Sequence, residues 1–122
     1  EYGFFFFKDR KKDCLRRRGE NISSVEVEKE LMRHPDVSEV AIIGIPSPFG
    51  EDDVKACVVT RDGSVLTEPE LYFWAQEAIP RFAWPRYIEF MAELPKNAVG
   101  RILKFELRNF HSPLNCWDSE KP

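Results

Sequence analysis

Short apolar runs, separated by polar stretches, recur along the chain and are typical of strands. Val37–Ile45 is almost continuously apolar and predicts a central strand, and the valine-rich run Val54–Thr60 predicts the next one. The aromatic run Phe4–Phe7 and the short run Arg86–Met91 have the same character. The pattern therefore predicts four extended segments separated by polar loops.

Two further segments combine a capping pattern with helical spacing. Ser23 and Glu26 form a capping box before a helix that runs to about Arg33. The apolar residues of this helix spread over a wide face, so we expect it to be well covered: Val25, Val27, Leu31 and Met32. Thr67 and Glu70 form a second capping box, and the following apolar residues recur at i, i+3, i+4 and i+7: Leu71, Trp74, Ala75 and Ala78.

The order of these segments predicts the fold class. Cys14–Arg18 follows a polar turn, Asp9–Asp13, and is expected to pair with the aromatic run as a hairpin, while Leu103, Leu107 and Phe110 suit a last short helix. The sum is a small α+β domain with an N-terminal β-hairpin and a roughly three-stranded sheet packed by helices. We expect residues 1–110 to form this domain and residues 111–122, which show no periodicity, to form an irregular tail.

Composition narrows the class of protein. A chain of 122 residues makes about one domain, which is small for an enzyme with several substrates, and its start lacks a Met, so we expect a piece of a longer protein. No apolar run approaches the ~20 residues of a membrane span. Cys14, Cys57 and Cys116 match neither a zinc spacing nor a disulfide framework. We therefore expect no metal site and a reducing, cytoplasmic setting.

Positive charge is concentrated near the N-terminus, although the net formal charge is -3. Lys8–Asn21 holds seven Lys or Arg residues against three acids and contains Gly19, where backbone can approach a ligand closely. Such a ribbon suits a phosphate-rich ligand, or it is a solvated turn. A non-catalytic module that binds RNA or a partner protein is the alternative function. The contiguous run Phe4–Phe7 disfavours RNA, because alternate rings of a strand face opposite sides.

Two motifs change this picture. The first joins Asp9–Asp13 to Gly19–Ile22 and Glu26–Glu28, and the second is Leu94–Lys104, with Pro95, Asn97, Gly100, Ile102 and Leu103 at its characteristic positions. Together they resemble the C-terminal domain of the acyl-adenylate-forming (AMP-binding) enzyme superfamily, in its acyl-CoA synthetase or ligase branch. The run Arg17–Ser23 is most similar to the crotonobetaine/carnitine-CoA ligase group.

The resemblance implies a two-step ligase. A carboxylic acid reacts with ATP, bound with Mg²⁺, to give an acyl-adenylate, and CoA then displaces AMP. The acid, ATP and CoA are expected to bind mainly to the protein's own N-terminal domain, over which the small C-terminal domain closes in two orientations. The isolated chain is therefore expected to be inactive, with no nucleic acid among its partners.

The resemblance also implies roles for individual residues. Lys12 falls at the hinge between the two orientations, and Arg10 matches the Arg that precedes it. Gly19 matches a loop glycine that lines the pantetheine tunnel, where a side chain would block the thiol's path. On charge alone, three neighbouring residues are candidate contacts of the CoA phosphates: Arg16, Arg17 and Arg18.

Arg101 departs from the family pattern. It stands where the family usually has the catalytic Lys that bridges the carboxylate and the nucleotide. An Arg keeps the charge but presents a wider planar fork. Either Arg101 takes the catalytic role, or Lys104 or Lys96 substitutes for it, or adenylation is weak. A domain that has lost catalysis and serves in regulation or docking is the third functional hypothesis.

Overall fold

The computed structural model describes residues 14–17, 20–47, 52–112, 114 and 116–120. The run Phe4–Phe7 lies outside these ranges, as do four of the predicted site residues: Arg10, Lys12, Arg18 and Gly19. The elements follow in chain order: β1 (Cys14–Arg17), β2 (Glu20–Ser23), α1 (Ser24–Leu31), β3 (Val37–Pro46), β4 (Asp52–Thr60), α2 (Glu68–Ala78), a 3-10 turn (Arg81–Ala83), β5 (Tyr87–Phe90), α3 (Lys104–Asn109) and β6 (Trp117–Asp118).

The strands form two sheets. β1 and β2 make an antiparallel hairpin in which Cys14 lies opposite Ser23. The other described strands form a four-stranded sheet in the order β3-β4-β5-β6, with β4 and β5 parallel and the two outer pairs antiparallel. The predicted α+β class is confirmed, with four strands in the main sheet where about three were expected. The predicted hairpin partner of Cys14–Arg18, the run Phe4–Phe7, lies outside the described residues. β2, the partner of β1 in the hairpin, and β6 are strands that the sequence pattern did not predict.

Among the described strands, β3 lies at the edge of the sheet, and the prediction that Val37–Ile45 is central was wrong. Its continuous apolar character arises because both of its faces are covered. Val40 and Ile42 belong to a core that includes residues of α1 and α2, while Ala41 and Ile43 pack with Leu107 of α3 on the other face. A continuous apolar run indicates that both faces of a strand are buried. Central strands and edge strands covered on both faces share this property, so the run alone does not distinguish them.

The two longer helices begin where the capping patterns predicted. Ser23 Oγ accepts a hydrogen bond from the Glu26 amide at 3.4 Å, and Thr67 and Glu70 form both bonds of their capping box. The expectation that α1 is well covered was wrong on one side, because Val25 and Met32 are 52% and 42% exposed. The opposite face of α1 meets the sheet and is buried through three residues: Ser24, Val27 and Leu31.

The segment after residue 110 departs from the predicted irregular structure at Trp117–Asp118. These residues form β6, in which Asp118 lies opposite Tyr87 and Trp117 lies opposite Ile88. The Arg86 side chain binds Asp118, and the Ser119 amide donates to the Arg86 carbonyl at 2.7 Å. A strand of two residues is too short to show a period, so its pairing depends on these long-range bonds.

Within the described ranges, no helix is both long enough and apolar enough to cross a bilayer.

Candidate functional site

The loop that carries Arg101 closes on itself through main-chain hydrogen bonds. The Leu103 amide donates to the Pro95 carbonyl at 2.9 Å, and Lys96 pairs with Ile102 as an antiparallel bridge. Residues 95–103 therefore form a short hairpin-like loop, which we call the Arg101 loop.

Asn97 organises the tip of the Arg101 loop. Its Oδ1 accepts from the amides of Val99 and Arg101, each at 3.0 Å, and its carbonyl accepts from the Gly100 amide at 3.0 Å. The backbone N–H of Asn97 donates to the Arg101 carbonyl at 2.9 Å. Gly100 has φ +87°, a conformation that residues with a side chain rarely adopt. The backbone of Arg101 is thus held from both sides.

The Arg101 side chain is exposed. Among the residues that the structure describes, no hydrogen bond or ion pair engages its guanidinium. A planar group with five donors therefore projects from a fixed backbone, which suits recognition of a carboxylate or a phosphate.

The two lysines near Arg101 are engaged within the domain. Lys104 Nζ lies 2.7 Å from Glu28 Oε2 and donates to Ser24 Oγ at 3.1 Å. Lys96 Nζ lies 2.8 Å from Glu39 Oε1. Either lysine would have to leave an ion pair before it could meet a substrate, whereas Arg101 has no such pair in the described part of the chain.

Glu28 contributes a contact that motif reasoning missed. Its Oε2 also accepts from the Ile42 amide at 2.8 Å, so one carboxylate joins α1, the outer edge of β3 and the start of α3. The available signal was an acid one helical turn after Ser24 and one turn before Leu31, on the face that is buried.

The hairpin holds the other predicted site residues that the structure describes. Arg16 and Arg17 lie in β1 opposite Asn21 and Glu20, and β1 contacts β4. The Arg101 loop instead bonds to β3 through Lys96. The described part of the hairpin therefore attaches to β4, and the Arg101 loop attaches to β3.

A second cluster of titratable groups lies on the face of the sheet that α3 covers. Lys55 Nζ is fully buried, 2.8 Å from Glu89 Oε1 and 3.0 Å from His111 Nδ1. Burial, and then the Lys55 charge, lower the pKa of His111. Burial raises the pKa of Cys57 to about 12 and also raises that of Cys116. Because the thiolate is the nucleophile, these shifts fit packing cysteines.

Comparison with known proteins now assigns the family. The family described as the AMP-binding enzyme C-terminal domain matches residues 26–101, which run from α1 to Arg101 itself. The chain belongs to this family, as the two sequence motifs predicted.

Individual relatives agree with this assignment. The chain is 38% identical over 108 residues to a crotonobetaine/carnitine–CoA ligase of Salmonella arizonae, a match that covers 88% of this chain and 21% of the relative. ATP-bound MatB from Rhodopseudomonas palustris superposes with a TM-score of 0.80 at 29% identity, over 87% of this chain and 21% of MatB. An acyl-CoA synthetase of Brucella canis gives a TM-score of 0.75 at 36% identity, over 83% and 19%. The chain thus spans about a fifth of the length of its relatives. These comparisons give no support to the RNA-binding alternative.

Proposed function

We propose that residues 1–110, with β6 added to their sheet, are the C-terminal mobile domain of an ATP-dependent acyl-CoA ligase. Such a ligase activates a carboxylic acid as its acyl-adenylate and transfers the acyl group to CoA. The observation that carries the proposal is the exposed guanidinium of Arg101 on a closed loop, which no described residue engages. The named relatives of the chain are CoA ligases. The partner of the domain is the N-terminal domain of the same protein, which holds the acid and ATP with Mg²⁺.

Arg101 acts in the first half-reaction. A carboxylate oxygen attacks the α-phosphorus of ATP, and the bond to the departing pyrophosphate breaks. A fixed cation beside the carboxylate and the nucleotide stabilises the negative charge that these groups bring together. The ion pairs of Lys96 and Lys104 with Glu39 and Glu28 favour Arg101 over either lysine for this role.

The basic segment Lys8–Asn21 acts in the second half-reaction. The CoA thiolate attacks the acyl carbonyl, and AMP leaves with the electrons of the acyl–phosphate bond. Gly19 gives the pantetheine arm room to pass, and nearby arginines contact the CoA phosphates: Arg16, Arg17 and Arg18. Arg10 and Lys12 form the hinge between the two orientations.

We also propose a reducing, cytoplasmic setting. Cys57 and Cys116 are free thiols, and Cys57 is buried. Free buried cysteines are common in proteins of reducing compartments.

The test separates the two half-reactions in the longer protein that carries this chain. Arg101→Ala is expected to lower ATP–pyrophosphate exchange by about 10²–10³, the usual loss for one preorganised charge. It should spare the transfer of acyl groups to CoA from preformed acyl-adenylate. Gly19→Leu is expected to show the opposite selectivity, because the added side chain obstructs the thiol and not the nucleotide. Arg33→Ala, an exposed arginine paired with Glu30, is the control.

Each proposed role has its own contrary result. Native pyrophosphate exchange by the Arg101→Ala variant would exclude Arg101 and direct attention to Lys104 and Lys96. Equal losses in both assays for Gly19→Leu would exclude the tunnel assignment. If the native protein exchanges no pyrophosphate with any of a panel of carboxylic acids, a domain that has lost catalysis becomes the better explanation.

A further inference from the structure

One carboxylate oxygen connects the C-terminal end of the Arg101 loop to the rest of the domain. Glu28 Oε2 accepts from Lys104 Nζ at 2.7 Å and from the Ile42 amide at 2.8 Å. Lys104 Nζ donates a second bond to Ser24 Oγ at 3.1 Å. Lys104 is the first residue of α3, so these bonds connect α1 and β3 to the position where the Arg101 loop ends.

The Glu28–Lys104 pair is shielded from solvent. The two side chains are 19% and 17% exposed, compared with 35% and 36% for the Glu39–Lys96 pair. Exposed pairs are screened and contribute little, whereas removal of one partner from a shielded pair leaves a charge without compensation. The Glu28–Lys104 pair is therefore the stronger of the two attachments of the loop.

The covalent and hydrogen-bonded path from Lys104 to Arg101 is short. The Leu103 amide bonds to Pro95, Ile102 pairs with Lys96, and the Arg101 carbonyl accepts from Asn97. Every residue between Lys104 and Arg101 is thus held across the loop. A displacement of Lys104 would be passed to Arg101 and would not be absorbed at a flexible joint.

We propose that Glu28 and Lys104 are positioning residues for adenylation, which hold Arg101 in register with α1 and β3 without touching substrate. This inference rests on the ligase function proposed above. It also assigns Lys104 a role different from that of a substitute catalytic cation, and the two roles predict opposite effects of changing Glu28.

The decisive variant is Glu28→Gln, which keeps the shape of the side chain and an oxygen for the Ile42 amide. If Lys104 positions the loop, this variant lowers pyrophosphate exchange, because Lys104 loses the negative charge of Glu28. If Lys104 itself meets the substrate, the variant weakens one of the interactions that hold it within the domain, and the rate stays the same or rises.

The experiment measures both half-reactions and deuterium uptake in the longer protein. For Glu28→Gln and Lys104→Met we expect pyrophosphate exchange to fall about tenfold through kcat, since small misplacements of reacting groups are costly. Acyl transfer from preformed acyl-adenylate should be unchanged, and peptides that cover residues 94–104 should exchange deuterium faster. Lys104→Arg, which can still bond Glu28, should restore most of the rate. Lys29→Met is the matched control, since Lys29 is an exposed lysine of α1, the helix that carries Glu28.

The outcomes separate the inference from the proposed function. The positioning role would be overturned if the Glu28→Gln variant took up deuterium at residues 94–104 as the native protein does and exchanged pyrophosphate at the native rate or faster. Faster uptake at residues 94–104 with native pyrophosphate exchange would uphold the attachment of the loop but overturn its role in adenylation. Glu28→Gln keeps the test informative if Lys104→Met does not fold.

Discussion

A guanidinium at position 101 binds its ligands with a different geometry from that of a lysine amine. Arg101 presents a planar fork whose donors are fixed relative to one another, whereas a lysine places one compact ammonium at the end of a flexible stem. The loop holds the backbone of this residue through Asn97, so the side chain alone must accommodate the difference.

Replacement of Arg101 by Lys tests whether the site keeps the shape that the family resemblance implies. We expect Arg101→Lys in the longer protein to match or exceed the native rate of pyrophosphate exchange, because the compact ammonium fits where a fork must bend. The measurement is exchange at saturating ATP and acid, with Arg101→Ala as the lower reference. A rate near that of Arg101→Ala would mean that the site is adapted to the guanidinium.

His111 gives the domain a dependence on pH whose sign follows from its surroundings. Its Nδ1 lies 3.0 Å from Lys55 Nζ, and its ring packs edge-on against Tyr87 with centroids 4.7 Å apart. Glu89 and Cys116 are the other titratable groups that face it. Its pKa in the folded state is lowered from 6.5, so the unfolded state binds protons more readily.

The free energy of unfolding should therefore be highest above pH 6.5 and should fall as the pH drops below that value, through the folded pKa. Denaturant unfolding at about pH 8 and about pH 5 measures the difference. His111→Asn keeps a neutral acceptor near Lys55 and removes the titration, so its loss between the two pH values should be smaller. An equal loss in both proteins would assign the effect to other groups.

At the scale of single residues, the sequence motif identified Arg101 but left three candidates for one role. The distinction depends on Glu28 and Glu39, which belong to other elements and are far from the loop in sequence. Spacing along a chain reports which residues share a local element. It does not report which distant carboxylate engages a lysine.

At the scale of elements, β6 shows how a short strand can depend on one side chain. Arg86 Nε and Nη2 donate to the two carboxylate oxygens of Asp118 at 3.2 Å, and Nη1 donates to Asp53 at 3.1 Å. Asp118 and Asp53 are buried, and their charges would be costly without this partner. Arg86 therefore holds β6 against β5 and joins both to β4.

Arg86→Met is expected to destabilise the domain and to release β6. We expect the free energy of unfolding to fall by about 3 kcal/mol, the low end of the range for breaking a buried pair, because Arg86 is 25% exposed. Urea denaturation measures the loss, and near-ultraviolet circular dichroism reports the Trp117–Tyr72 contact, whose ring centroids lie 5.4 Å apart. Arg33→Met should cost less than about 0.5 kcal/mol, as expected for an exposed pair. Equal losses for the two variants would contradict the role of Arg86.

The elements themselves were largely predictable, but their arrangement was only partly so. Capping residues and helical spacing located α1 and α2, because these signals are local. The edge position of β3 and the addition of β6 depend on pairings between distant segments. Neither pairing leaves a periodic trace, since burial on both faces and a strand of two residues each remove the alternation that would show it.

At the scale of the whole molecule, the described part of the hairpin and the Arg101 loop attach to different strands, β4 and β3, and are proposed to act in separate half-reactions. Domain closure of this kind lets one site use different surfaces of the same module in turn. The chain spans about a fifth of the length of its relatives, and in the function proposed above the remaining parts of the catalytic site come from the N-terminal domain.

The proposed division of the catalytic site between two domains predicts that the 122-residue chain alone is inactive. Arg101 can stabilise charge only where an acid and ATP are already held, and we place both of those sites in the N-terminal domain. We expect pyrophosphate exchange by the isolated chain to equal that of a buffer blank, with the longer protein as the positive control. Circular dichroism and a cooperative thermal transition would establish that the isolated chain is folded in the same assay. Exchange above the blank by the folded chain would show that it holds ATP and an acid itself, and would refute the proposed division between the domains.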